Sequence, residues 1–181
     1  MKRSLLLTIL ITSCFTLQSQ SDTAITFTHI NTAKELNKQD IYEKIKLWST
    51  KVFKDISGAM QLDDKESGIL AFDASTHLLS PNAPNSNSIL KLAAWYHKYI
   101  FKLKIQIKDG KYKLDVNEIK LINYDGDYYQ LTSSTSAPYK YIFSKQSKGD
   151  KEWGDAKLTF ENFCKNLFTS IDEEVAKKED W

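Results

Sequence analysis

Between Lys98 and Leu121 the chain alternates with a period of two. Apolar residues stand at Tyr99, Phe101, Leu103, Ile105 and Ile107, with Lys or Gln at most positions between. That period is what a strand with one dry and one wet face requires. Asp109-Gly110 follows, a pair suited to the positive φ angles of a tight hairpin turn. With this turn, Ile107 faces Tyr112, Ile105 faces Leu114, Leu103 faces Val116 and Lys104 faces Asp115. Turn chemistry and hydrophobic pattern thus predict one register. Beyond Val116 the phase slips, because Ile119 and Leu121 have the opposite parity. A β-bulge near Asn117 or Glu118 returns both to the dry face.

The remaining elements arrange themselves around this hairpin. Ala24 to Ile30 alternates and predicts a short first strand. Asn31 to Leu36 reads as a connection, and Asn37 as the cap of a helix with Asp40 in its first turn. Ile41, Ile45, Trp48 and Val52 form one helical face, widened by Tyr42, Phe53 and Ile56, and the helix ends before Gly58. Met60–Leu62 and Ile69–Ala74 predict a second hairpin with Gly68 in its turn. Ser75 to Ser88 contains Pro81 and Pro84 and reads as a long loop. Short strands are expected at Tyr128 to Leu131 and near Tyr139. Ser144 to Gly154 reads as a polar linker and Asp155 as the start of a final helix, lined by Leu158 or Phe160, Phe163, Cys164, Leu167 and Ile171.

The first residues have another character. Lys2 and Arg3 precede a mostly apolar stretch, Leu5 to Leu17, and then small or polar residues. This is the pattern of a secretory signal peptide over 1–19, leaving 20–181 as one α+β domain, exported to the periplasm or beyond. Ile11-Thr12-Ser13-Cys14 also fits a lipobox. On that reading Cys14 is lipidated, the protein is an outer-membrane lipoprotein, and it meets the membrane only through that anchor. The chain has 25 basic and 23 acidic residues, so without Lys2 and Arg3 it is neutral. Arg3 is its one arginine, the residue type most used for phosphate and guanine contacts. Charge, composition and export together argue against nucleic acid as a partner. Beyond the leader only Cys164 remains, so the fold rests on its core rather than on a disulfide, and Cys164 reads as a small buried hydrophobe.

No motif in the chain names a reaction. His29, His77 and His97 stand isolated, without metal-ligand spacing, and no P-loop, nucleophile elbow or dinucleotide glycine pattern is present. Asn123, Asp125 and Asp127 around Gly126 fit part of a calcium loop, but Ser134 stands where its last glutamate belongs, and an Asx-Gly turn explains them. The sequence therefore offers no catalytic residue, no metal ligand and no cofactor, and leans away from an enzyme.

Three stretches taken together resemble a known family. They are D-I-Y-E-K-I-K-L-W in the first helix, D-D-K-E-S-G-I-L in the hairpin after it, and I-Q-I-K-D-G-K-Y-K-L at the central turn. In this order they are similar to a secreted bacterial domain of unknown function whose fold is like one half of the TATA-box-binding protein. The resemblance covers roughly Ile25 to Leu121. The pattern of elements converges on the same architecture, an antiparallel sheet with two helices packed on one face in the order β-α-β-β-β-β-α, and the resemblance brings no activity and no site residue. The fold name does not imply DNA binding.

Two surfaces remain as candidates. The predicted register aims Lys98, Lys102, Lys104, Lys108, Lys111 and Lys113 away from the core, with Asp115 the one acid expected among them. Such a face suits an acidic envelope protein or an anionic glycan, although lysine also guards sheets against aggregation. Tyr124, Tyr128, Tyr129, Tyr139 and Tyr141 are a candidate aromatic groove, since tyrosine offers apolar area with a polar tip. The expected function is a non-enzymatic binding module of the envelope; the alternative is a small envelope hydrolase with a site assembled from loops.

Overall fold

In the computed structural model the described residues are 23–53, 55–80, 83, 85, 96–122, 126–138 and 146–178, with the side chains of 146–148 left aside. The leader, its Cys14 and most of the loop after Ser80 lie outside them. The elements are β1 (Phe27–Thr32), α1 (Lys38–Val52), a single turn α2 (Ile56–Ala59), β2 (Met60–Asp64), β3 (Ile69–Leu79), β4 (Tyr96–Lys108), β5 (Lys111–Ile122), β6 (Tyr128–Gln130) and α3 (Gln146–Ala176). The sheet is antiparallel in the order β1-β5-β4-β3-β2, with β6 beside the end of β5. Among the described residues no helix is long and apolar enough to cross a membrane.

The central hairpin has the register that its pattern requires. Ile107 pairs with Tyr112, Ile105 with Leu114, Leu103 with Val116 and Lys104 with Asp115. Between Ile100 and Lys102 the partner on β5 jumps from Lys120 to Asn117. Glu118 carries this bulge at a φ of +50°, and Leu114, Val116, Ile119 and Leu121 are all buried. The turn differs in one respect. Gly110 alone takes a positive φ, while Asp109 turns its carboxylate to the Lys38 N–H at the start of α1. Gly110 also donates to the Leu36 carbonyl and accepts from Ala33. The hairpin tip is thereby sewn to the connection between β1 and α1.

α1 and α3 pack on the dry face of the sheet and against each other. Asn37 caps α1 by accepting from the Asp40 N–H. Ile41, Tyr42, Ile45 and Trp48 enter the core, and the Trp48 indole donates to Ser170 on α3. Val52 stays outside, because the helix ends there and the chain turns so that Phe53 stacks on Phe72. Trp153, Ala156, Phe160, Cys164, Leu167, Phe168, Ile171 and Val175 form the buried stripe of α3.

Three boundaries depart from the expectation. α1 ends at Val52, where Phe53 turns extended, so Ile56 belongs to the separate turn α2 and not to the α1 stripe. β3 runs on to Leu79, because Ser75 to Leu79 pairs residue by residue with β4 back to Tyr96. α3 starts at Gln146 and absorbs the expected linker. Trp153 lies at zero exposure in that first part, so burial of its ring outweighs the helix cost of Gly149 and Gly154. The short α2 and β6 complete the set.

Candidate functional site

The wet face of the sheet belongs to alternate residues of β3, β4 and β5, and among the described residues α1 and α3 both lie on the other side. Asp73 faces Lys102, Lys104 faces Asp115, and Lys108 faces Lys111 across the turn. Lys102, Lys104, Lys108, Lys111 and Lys120 are exposed, and Lys98 and Lys113 are half-buried. Acids are more numerous here than the sequence reading allowed. Glu118, rotated by the bulge, pairs with Lys102 at 2.9 Å, and Asp73 lies beside the same lysine. Lys113 pairs with Asp115 at 2.8 Å and Thr28 donates to the same carboxylate at 2.7 Å. Burial pushes the Asp115 carboxyl up, but these two donors outweigh it and hold it below the usual range. Lys104, Lys108 and Lys111 form no ion pair among the described residues. The same holds for Lys120 farther along β5, and the Lys104 charge also helps to lower Asp115 from across the strand pair.

The tyrosine groove is not assembled by the members that are described. Tyr128 is exposed and Tyr129 buried, because neighbours on a strand point to opposite faces. Tyr124, Tyr139 and Tyr141 lie outside the described residues.

On the helix side the structure brings together residues that the sequence kept apart. His29, read as isolated, hydrogen-bonds through Nε2 to Asp172 of α3 at 2.9 Å. The Tyr112 hydroxyl donates to the other oxygen of Asp172 at 2.6 Å and accepts from Asn31 at 3.2 Å. The His29 ring lies flat on Phe168, with centroids 5.2 Å apart. Burial, then the bond to Asp172, pushes the Tyr112 hydroxyl upward, so it stays a proton donor. The sequence separation of His29 and Asp172, 143 residues, removes any local signal for this contact.

The cluster borders a groove of about 990 Å³ between the connection 31–36, α1 and the end of α3. Lys34, Lys44, Lys177 and Lys178 line it against Glu35, Asp40, Glu43 and Asp172. This balance selects neither an anion nor a cation. Among the described residues no hydrogen bond joins His29 to a serine, threonine or cysteine, and no group of three His, Cys, Asp or Glu side chains is placed to hold a metal. The cluster ties β1 and β5 to α3.

Comparison with known proteins agrees with this architecture. A crystal structure of a DUF4468 family protein from Bacteroides ovatus is similar with a TM-score of 0.65 at 14% identity, over 87% of this chain and 90% of that one. A TBP-like protein from Parabacteroides distasonis gives 0.59 at 15% identity, over 86% and 95%. At such identities the likeness shows the fold. No curated protein matches the chain. Residues 27–121, from β1 to the end of the central hairpin, match the family described as a domain of unknown function (DUF4468) with TBP-like fold, and the chain belongs to that family.

Proposed function

We propose that the protein is a non-enzymatic binding module of the cell envelope and that its open sheet face docks an acidic protein. The observation that carries this reading is the row Lys104, Lys108 and Lys111, exposed and without ion pairs among the described residues on the face opposite both helices. Ile30, Ile69, Ala71 and Ile100 share that face as aliphatic neighbours. Around the lysine row the surface is aliphatic and cationic, which suits a protein partner, while the exposed rings of Tyr96 and Tyr128 stand at the far end of the same face. The envelope is part of the proposal and is supported by the leader-like pattern of residues 1–19.

The test is capture from envelope extract with the wild type and with a Lys104→Gln, Lys108→Gln, Lys111→Gln variant as baits. An acidic protein held by the wild type should be lost from the variant and released as salt rises, since exposed charges are screened beyond ~8 Å at physiological ionic strength. A partner retained equally by both baits removes this face from the account. Capture of an acidic polysaccharide, sensitive to the variant, moves the reading to a glycan.

A small hydrolase is the second reading, favoured by the His29–Asp172 bond beside the groove. It requires turnover of an envelope peptide or sugar that disappears with His29→Gln while the fold persists.

A further inference from the structure

We infer that β1 is a self-association edge, at which a second copy of this chain docks antiparallel and continues the sheet across a two-fold axis. The inference makes no use of the lysine row. β1 pairs with β5 along one side, and among the described residues no strand pairs with its other side. Exposed edges are ordinarily guarded by lysine, proline, a bulge or a covering element. The opposite edge is guarded in this way: β2 has an irregular register between Met60 and Leu62 and ends in Asp63-Asp64. On β1 only the last N–H, that of Thr32, is taken by a side chain, Asn31 Oδ1 at 2.7 Å, and the strand has no lysine, proline or bulge among the described residues. Its sequence F-T-H-I-N-T holds no acid either, and its register with β5 is unbroken. At its middle, Ile30 is 64% exposed, the highest value among the large apolar side chains described.

The backbone dictates how a second copy fits. Ala33 donates to Gly110 at 2.8 Å, one step beyond the pair Thr32–Lys111. Hydrogen-bonded and non-bonded pairs alternate in an antiparallel ladder. Phe27, His29 and Asn31 therefore turn their N–H and C=O toward β5, while Thr28, Ile30 and Thr32 turn theirs to the open edge. Setting Ile30 against Ile30 of the second copy places Thr28 against Thr32. The Thr32 N–H already donates to the Asn31 Oδ1 at 2.7 Å, and the other outward N–H groups are then used in about four hydrogen bonds. Facing residues share parity, so wet-face side chains stay on the wet face. A slip of two residues either way leaves Thr28 or Thr32 unpaired, and a slip of one misaligns the donors. No charge meets a like charge, and the most exposed isoleucine covers its own copy. The contact is isologous and closes on itself.

Cysteine cross-linking and sedimentation test this in the full chain, expressed with its leader in a Cys14→Ser background. Paired Cα atoms about 5.5 Å apart fall within disulfide reach. Ile30→Cys should oxidise to a covalent dimer, Thr28→Cys alone should not, and Thr28→Cys mixed with Thr32→Cys should. Ile30→Lys sets two ammonium groups against each other and should weaken self-association about fivefold, with an unchanged circular dichroism spectrum. A wild type that sediments as a monomer at every concentration overturns the inference. So does a dimer that survives Ile30→Lys, or Thr28→Cys cross-linking alone as fast as Ile30→Cys.

Discussion

The carboxylate of Asp109 accepts a hydrogen bond from the backbone N–H of Lys38 at 2.8 Å, so the turn of the central hairpin caps the first helix. Lys38 is the first residue of α1, and its N–H has no acceptor within the helix. Asp109→Ala should cost about 1 kcal/mol, the usual worth of a capping carboxylate, with Asp109→Asn closer to wild type. Urea unfolding reads this directly. An unchanged midpoint in Asp109→Ala would show that Asn37 alone suffices to start the helix.

Gly68 makes the second tie to the hairpin. Its carbonyl accepts from the Ile107 N–H at 2.7 Å and its φ is +70°. A Cβ there would lie 2.5 Å from the Ile107 carbonyl oxygen. Gly68→Ala combines a left-handed backbone with a backbone clash and should lower stability by at least about 2 kcal/mol. A loss of only a few tenths would mean that the end of β4 yields easily.

Acid should loosen the helix pair. Glu174 on α3 is nearly buried and takes hydrogen bonds from Lys177 and Lys51, which hold its carboxyl below the usual range. A folded-state pKa below the unfolded one means that the unfolded chain binds more protons. The associated stability is present above the ordinary glutamate range and is lost as pH falls through the lowered folded value. Unfolding midpoints should therefore fall as pH drops below about 4, with a shallower slope in Glu174→Gln. Equal slopes would assign the acid sensitivity to other carboxylates.

Cys164 should be inert in the folded protein. Burial, with a smaller contribution from Glu161, pushes its thiol up to about 12, and the thiolate is the reactive form. Mass spectrometry after iodoacetamide at pH 8 should find Cys164 unlabelled until urea is added. Native labelling within minutes would place this thiol at an accessible surface.

The hairpin was legible because two independent signals agreed on it. Alternation from Tyr99 to Ile107 and the Asp109-Gly110 turn admit one register, and the phase slip after Val116 marked the bulge that Glu118 carries. The start of α3 was illegible for the opposite reason. Gly149, Gly154 and their charged neighbours carry the local composition of a linker, and they become helix through burial of Trp153 and the hydrogen bond that Asp150 accepts from the Ala137 N–H. The tail of β3 was obscured in the same way, since Ser75 to His77 gains its strand character from pairing with β4. Of the surfaces, the lysine row followed from alternation alone. Glu118 and Asp73 reach this face through a bulge and a neighbouring strand, which alternation along β4 does not encode. The contact of His29 with Asp172 depends on how α3 returns over β1, which no local pattern encodes.

The lysine face is tested most directly by amide chemical shifts during titration of the isotope-labelled chain with an acidic glutamate-rich peptide. The account predicts salt-sensitive shifts at Lys104, Lys108 and Lys111 and along β4 and β5, absent in the triple glutamine variant. Shifts confined to the groove between α1 and the end of α3, or shifts that persist in the variant, would contradict it.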